Sequence, residues 1–125
     1  GWTMASYWCK EVSEVHCRNV KSQWLPIVVY YKGEWKRRQS WLDTLHVEGK
    51  EKEWHRDQRP LAEVETLVRY FSDQGDLVCD PFLGSGTTAL ACHNLGRRCV
   101  GCEMDDDKYK RAMARLHKET NTKIA

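Results

Sequence analysis

The chain has 125 residues with 20 Lys and Arg against 18 Asp and Glu, which fits one domain or a piece of a larger one and gives a net charge of only +2. Apolar residues make up 41% of it, enough for a core, so global disorder is excluded. No apolar run approaches the roughly 18 residues of a membrane span, and the start GWTMASYWCK has no apolar signal core. We therefore expect a soluble, cytoplasmic protein with no membrane partner.

The first half predicts one clear strand and a long loop. Residues 10–20 could form a short helix, whereas WLPIVVYY (24–31) is β-branched and aromatic and predicts a strand. Residues 33–58 are polar and have no sustained period, which predicts a long loop.

A basic excess lies around that loop. Residues 1–60 carry 11 Lys and Arg against 8 Asp and Glu. Lys32, Lys36, Arg37 and Arg38 interleave with tyrosines and tryptophans, a mixture that can contact a nucleic-acid backbone and stack on bases. A solvated loop is the alternative, and residue types alone favour it.

The second half predicts alternating helices and strands. Pro60 suits the first turn of a helix, and Gly96 suits a helix C-cap. The predicted elements, in chain order, are a helix from Pro60 to Phe71, a buried strand over 77–79 ending at Asp80, a helix over 87–95, a strand over 98–102 ending at Glu103, and a helix over 105–118. This order predicts an α/β fold built on a βαβ unit with two parallel strands.

Six cysteines stand at positions 9, 17, 79, 92, 99 and 102. A disulfide framework is arithmetically possible, but several of them lie in apolar runs, which favours small buried hydrophobes. Cys99-x-x-Cys102 could be half of a zinc or redox site, with Cys92 and His93 as the nearby second pair. We favour strand-core cysteines and expect no metal.

The stretch CDPFLGSGTT (79–88) predicts a ligand-binding glycine loop between the first strand of this unit and its helix. A Walker-type phosphate loop needs a Lys after its last Gly, but Thr87 follows Gly86. A dinucleotide fingerprint fits better, since Glu103 ends the next strand 19 residues beyond Gly84, where it could hold a ribose diol.

Asp80 argues against a diphosphate above this loop, because a carboxylate there would repel phosphate and attract an ammonium group. S-adenosylmethionine carries an ammonium group, a ribose diol and a carboxylate that can lie on the amides of the following helix. The residues therefore favour that cofactor.

Several motifs in order resemble those of the DNA amino-methyltransferases that modify adenine N6 or cytosine N4. DPFLGSGTT (80–88) resembles their cofactor motif, and HRDQRPL (55–61) resembles their H-x-x-Q-K-P segment with Arg59 in place of Lys. GRRCVGCE (96–103), followed by Tyr109, Ala112 and Arg115, resembles their G-R-x-x-x-G-x-E…Y…A…R run. The resemblance covers residues 55–116 and, more loosely, extends back to residue 24.

This resemblance implies a partial Rossmann-like methyltransferase fold with S-adenosylmethionine as cofactor, DNA as partner, and a bacterial or phage restriction–modification role. It also implies a division into a possible DNA-contacting region over 1–54, with Lys32, Lys36, Arg37 and Arg38, and a cofactor-binding βαβ region over 55–125. The cofactor-binding residues that it implies are His55, Gln58, Arg59, Pro60, Asp80, Pro81, Phe82, Gly84, Ser85, Gly86, Thr87, Thr88 and Glu103.

The family's catalytic loop, [DNS]-P-P-[YFW], is not in this sequence. Its three prolines, Pro26, Pro60 and Pro81, are not adjacent, and we assign no catalytic residue. The family includes circular orders in which that loop precedes the cofactor motif, so we expect a C-terminal part of a larger enzyme that lacks its N-terminal catalytic segment. The alternative is a cofactor-binding or partner-interaction module without catalysis.

Overall fold

The computed structural model describes residues 2–14, 21–30, 32, 44–47 and 58–121. The chain divides into two compact units, an N-terminal unit (Gly1–Gly49) and a C-terminal unit (Lys50–Ala125). The predicted division at residues 54 and 55 concerns DNA contact and cofactor binding, and it stays a prediction.

The N-terminal unit contains a three-stranded sheet in the order β2-β1-β3. Its strands are β1 (Trp2–Glu14), β2 (Lys21–Tyr30) and β3 (Thr44–Val47). β1 and β2 are antiparallel with Trp8 opposite Trp24, and β3 runs parallel to β1. The central β1 is thus paired on both sides.

Two predictions for this unit are corrected. The helix over 10–20 is wrong for residues 10–14, because they continue β1 and pair with β2 through Ser13↔Ser22 and Glu14↔Lys21; residues 15–20 lie outside the described residues. The loop over 33–58 is wrong at β3. The predicted strand over 24–31 is confirmed as far as Tyr30, and Pro26 is tolerated inside it because β2 is an edge strand of this sheet.

The C-terminal unit has the predicted βαβ arrangement. Its elements are α1 (Leu61–Phe71), β4 (Leu77–Asp80), α2 (Thr87–Leu95), β5 (Arg98–Gly101) and α3 (Asp106–Asn121). β4 and β5 are parallel, with Leu77 opposite Arg98 and Asp80 opposite Gly101, so both carboxyl ends lie at one edge.

The helix ends follow from their capping residues. Gly96 ends α2 with φ +71°, where its own N–H and that of Arg97 bond the last carbonyls of the helix. α3 starts one residue later than predicted because Asp105 acts as its cap: Asp105 Oδ1 accepts hydrogen bonds from the amides of Asp107 (3.0 Å) and Lys108 (3.1 Å). These amide hydrogen bonds lower the pKa of Asp105.

The core of the C-terminal unit lies between the helices and one face of the sheet. Val68, Ala91 and Cys92 are its buried centre. Partly buried apolar residues pack around that centre: Leu61, Val64, Val78, Leu95 and Cys99.

The opposite face of this sheet is exposed. Leu77 is 57% and Val100 is 51% exposed, so the prediction of a buried strand is wrong for this face. The prediction of buried cysteines fits Cys92 and, in part, Cys99. It is wrong for Cys79 and Cys102, which are exposed free thiols. Within the described part of the chain, no three His, Cys, Asp or Glu side chains cluster as metal ligands.

Candidate cofactor site

The glycine loop leaves β4 at Asp80 and crosses the end of β5. The amide of Cys102 donates to the carbonyl of Asp80 (3.2 Å), and the amide of Leu83 donates to the carbonyl of Cys102 (2.9 Å). The parallel ladder therefore continues into the loop and fixes its first half.

Gly101 makes this crossing possible. A Cβ at this position would lie 2.9 Å from the backbone oxygen of Asp80 and 3.0 Å from Cδ1 of Leu83, both closer than real Cβ contacts. The Leu83 side chain is buried above β5 and anchors the loop there.

Two glycines with positive φ turn the loop into α2. Gly84 has φ +53° and Gly86 has φ +77°, a region that L-residues with a Cβ adopt at a cost. The amide of Gly86 donates to the carbonyl of Leu83 (2.9 Å), and the carbonyl of Gly86 accepts the amide of Leu90 (3.0 Å). Gly86 thus ends the loop and starts the helix in one residue.

Two carboxylates flank the loop. Asp80 Oδ1 accepts a hydrogen bond from the amide of Phe82 (3.0 Å). Glu103 Oε2 accepts one from the amide of Gly84 (2.8 Å), and its Oε1 accepts one from the amide of Asp105 (3.0 Å). These amides lower the pKa of Glu103, so its carboxylate is ionised at neutral pH and joins the end of β5 to the loop.

A cavity of about 200 Å³ opens between α1 and this loop. Seven of the residues that the resemblance implies line it, namely Arg59, Asp80, Phe82, Gly84, Ser85, Thr87 and Thr88, together with Val64 and Leu83. The start of α2 has no side-chain cap and no acidic residue in its first turn. The cavity therefore combines one carboxylate, Asp80, with a helix N-terminus that is open to an anion. A larger apolar groove of about 530 Å³ runs along α1 and β4, but Glu103 and the two loop glycines do not line it.

The other implied residues lie elsewhere. Gln58 is buried, and Pro60 precedes α1, where its carbonyl accepts the amide of Val64 (3.3 Å). Pro81 is exposed in the turn after β4, and Gly86 is buried against α3. His55 lies outside the described residues. Of the predicted DNA-contacting residues, Lys32 is exposed, and Lys36, Arg37 and Arg38 lie outside the described residues.

Three residues of this site had no function assigned from sequence: Leu83, Gly101 and Arg115. Arg115 is buried and donates from Nη1 to Oγ1 of Thr87 (2.9 Å). A single Arg three residues after Ala112, on the same face of an amphipathic helix, was the available signal for it.

Comparison with known families decides the relationship. The family model for N6/N4-type DNA methylases matches residues 6–114. The chain belongs to the N6/N4 DNA methylase family.

Curated members of this family show the same likeness. The type II methyltransferase M.HpaI of Haemophilus parainfluenzae is 35% identical over 77 residues, which is 62% of this chain and 24% of that protein. The type II methyltransferase M1.MboII of Moraxella bovis is 40% identical over 58 residues, which is 46% of this chain and 22% of that protein. The alignments thus span about a quarter of the length of these relatives.

Solved structures confirm the predicted partial Rossmann-like methyltransferase fold. The M1.HpyAVI–SAM complex has a TM-score of 0.72 at 29% identity, covering 92% of this chain and 62% of that one. A DNA modification methylase of Thermus thermophilus, TTHA0409, complexed with S-adenosyl-L-methionine, has a TM-score of 0.68 at 25% identity, covering 93% of this chain and 52% of that one. Among the described helices of this N6/N4 DNA methylase family member, none has the length and apolar character needed to cross a membrane. Its cytoplasmic location stays a prediction.

Proposed function

We propose that this chain is the S-adenosylmethionine-binding portion of a DNA methyltransferase that methylates the exocyclic amine of adenine (N6) or cytosine (N4). The observation that carries this proposal is the hydrogen bond between Glu103 Oε2 and the amide of Gly84, at the mouth of a cavity that Asp80 lines. It brings a carboxylate suited to a ribose diol next to a loop suited to an amino acid.

The charges of the cavity suit the amino-acid part of this cofactor. Asp80 is placed to attract an ammonium group, and the uncapped start of α2 is placed to attract a carboxylate. The two charged groups of one amino acid thus have separate, complementary positions in the cavity.

The edge of the site suits the nucleoside part. Each Glu103 oxygen accepts one backbone amide and keeps a second lone pair for a ribose hydroxyl. Beside it, Phe82 is 85% and Met104 is 98% exposed, which supplies apolar surface for an adenine ring.

When bound, the cofactor supplies an electrophilic methyl group, and the residues of this chain hold and orient it. Attack by an exocyclic amine requires a base flipped out of the duplex and held in line with that methyl group. The 125 residues contain no Pro-Pro pair and hence no [DNS]-P-P-[YFW] loop. We therefore infer that transfer needs a further segment carrying that loop, and that this chain alone is inactive.

Binding of S-adenosylmethionine by isothermal titration calorimetry tests the site. Asp80→Ala and Glu103→Ala should each weaken binding about tenfold or more, since each removes a charged hydrogen-bond partner. Asp73→Ala is the matched control, because this exposed acid lies before β4, at the opposite end of the strand from the cavity. Unchanged affinity in both site variants, with the chain folded and binding, would show that the assignment is wrong.

DNA contact by the basic segment is tested separately. Replacing Lys36, Arg37 and Arg38 by Glu should weaken DNA binding across all sequences and reduce its salt dependence, as expected for phosphate contacts. Equal DNA affinity and an equal salt slope in the variant would remove this segment from the proposal.

A further inference from the structure

Arg115 is the largest side chain that is fully buried in the described part of the chain. It lies in α3 with 2% of its surface exposed. An arginine stays protonated in proteins, so a positive charge is present inside this unit. Burying a charge is costly unless its hydrogen bonds are satisfied, so the partners of Arg115 indicate what it does.

Those partners join α3 to the glycine loop. Nη1 of Arg115 donates to Oγ1 of Thr87 (2.9 Å) and to the carbonyl oxygen of Ser85 (3.3 Å). Nε donates to Oε1 of Glu119 (2.9 Å), one turn later in α3, which supplies a carboxylate against the buried charge. Two loop oxygens on either side of Gly86 are therefore held by a single guanidinium group.

The packing around Gly86 agrees with this arrangement. A Cβ at Gly86 would lie 3.4 Å from Cβ of Ala112 and 3.6 Å from Cδ1 of Leu116. α3 therefore lies directly against the loop at its most constrained residue. Thr87 is held a second time, because its Oγ1 lies 3.2 Å from Oγ of Ser85.

An apolar side chain could fill this space without the cost of a buried charge, but it could not bind a carbonyl and a hydroxyl oxygen. Ser85 and Thr87 both line the cavity next to Asp80. The contacts of Arg115 thus act on the part of the site that faces the amino-acid end of the proposed cofactor, away from Glu103.

We propose that Arg115 is a positioning residue for cofactor binding, and this rests on the proposed function. It fixes the Ser85 carbonyl and the Thr87 hydroxyl, and so holds the loop amides and the start of α2 ready for the carboxylate of the amino-acid part. It does not touch the nucleoside part. Its loss therefore affects the two ends of the ligand differently.

Two ligands separate these ends: S-adenosylmethionine, and 5′-methylthioadenosine, which has the same nucleoside but no amino-acid part. In Arg115→Met, affinity for S-adenosylmethionine should fall about tenfold or more, as for loss of a hydrogen bond from a charged donor, while affinity for 5′-methylthioadenosine changes by less than about twofold. Arg111→Met makes the same chemical change one turn earlier at an exposed position, and should alter neither affinity.

Amide hydrogen exchange in the ligand-free chain gives a second readout that needs no cofactor. The Gly86 amide, which donates to Leu83, should exchange at least about tenfold faster in Arg115→Met, while the Arg98 amide, which donates to Asp76 at the other end of the strands, should not change. If Arg115→Met does not fold, Thr87→Val removes one acceptor alone and should show the same ligand selectivity and the same change at Gly86.

Equal weakening of both ligands, or no weakening of either, would overturn the positioning role while the wild-type chain still binds. A wild-type chain that binds neither ligand would instead overturn the proposed function. In that case unchanged exchange at Gly86 would also overturn the positioning of the loop by Arg115, and faster exchange would support it.

Discussion

Replacing Gly101 by Ala measures how tightly the glycine loop lies on the end of β5. Gly101 does not have a positive φ, so alanine adopts its backbone conformation, and in a strand alanine is normally favoured over glycine by roughly 0.5–1 kcal/mol. The added Cβ, however, would lie 2.9 Å from the Asp80 oxygen and 3.0 Å from Leu83 Cδ1. Overpacking of this kind costs about 1–3 kcal/mol, so a net loss of about 1 kcal/mol or more is expected.

Urea unfolding followed by helical circular dichroism measures this loss, because all described helices lie in the C-terminal unit. Gly75→Ala is the control: its φ is +84° with no heavy atom within 4 Å of the new Cβ, so it reports backbone strain without a steric contact. S-adenosylmethionine affinity should fall in Gly101→Ala, since the Asp80 and Leu83 positions must shift, and stay unchanged in Gly75→Ala. A Gly101→Ala chain as stable as the wild type, or more stable, would refute the close approach of loop and strand.

Three further predictions concern titratable groups. Because the folded pKa of Glu103 is lowered, its contribution to stability and binding is present above the ordinary Glu pKa of about 4.5 and is lost as the pH falls through the lower folded value; calorimetry against pH should show this loss in the wild type and not in Glu103→Gln. Burial raises the pKa of Cys92 to about 12, so iodoacetamide at pH 8 should modify the exposed Cys79 and Cys102 in the folded chain and reach Cys92 only in urea, as peptide mass spectrometry would show; rapid native labelling of Cys92 would contradict its burial. Glu63 is 4% exposed, its Oε2 has no hydrogen-bond partner, and burial raises its pKa, so Glu63→Gln should raise the free energy of unfolding at pH 7 by about 1 kcal/mol; the gain should shrink as the pH falls below the ordinary Glu pKa, and a loss at pH 7 would contradict it.

The C-terminal unit was predictable because its signals are local. Gly96 and Asp80 mark the ends of α2 and β4, and the helical period of α1 needs no distant partner. Residues 10–14 were not predictable in the same way, because β1 owes its strand structure there to pairing with Ser22 and Lys21.

The same distinction holds within the site. Asp80, the two loop glycines and Glu103 could be found from spacing, since each ends or turns an element. The contacts of Arg115 and the close approach at Gly101 depend on how α3 and the loop pack in three dimensions, which spacing alone does not contain. The exposed apolar face at Leu77 and Val100 was likewise missed, because an apolar run predicts burial on both sides.

The hydrogen bond between Gly84 and Glu103 also fixes the length of the chain that connects them. The nine residues of α2 rise about 13–14 Å away from the loop, and the four residues of β5 return about 13 Å to the same edge. One additional helical turn would carry the chain about 5 Å too far for a four-residue strand to bring it back. The interval of 19 residues between this glycine and this acid is therefore a length match between a helix and a strand, and insertions that preserve the site should fall outside it.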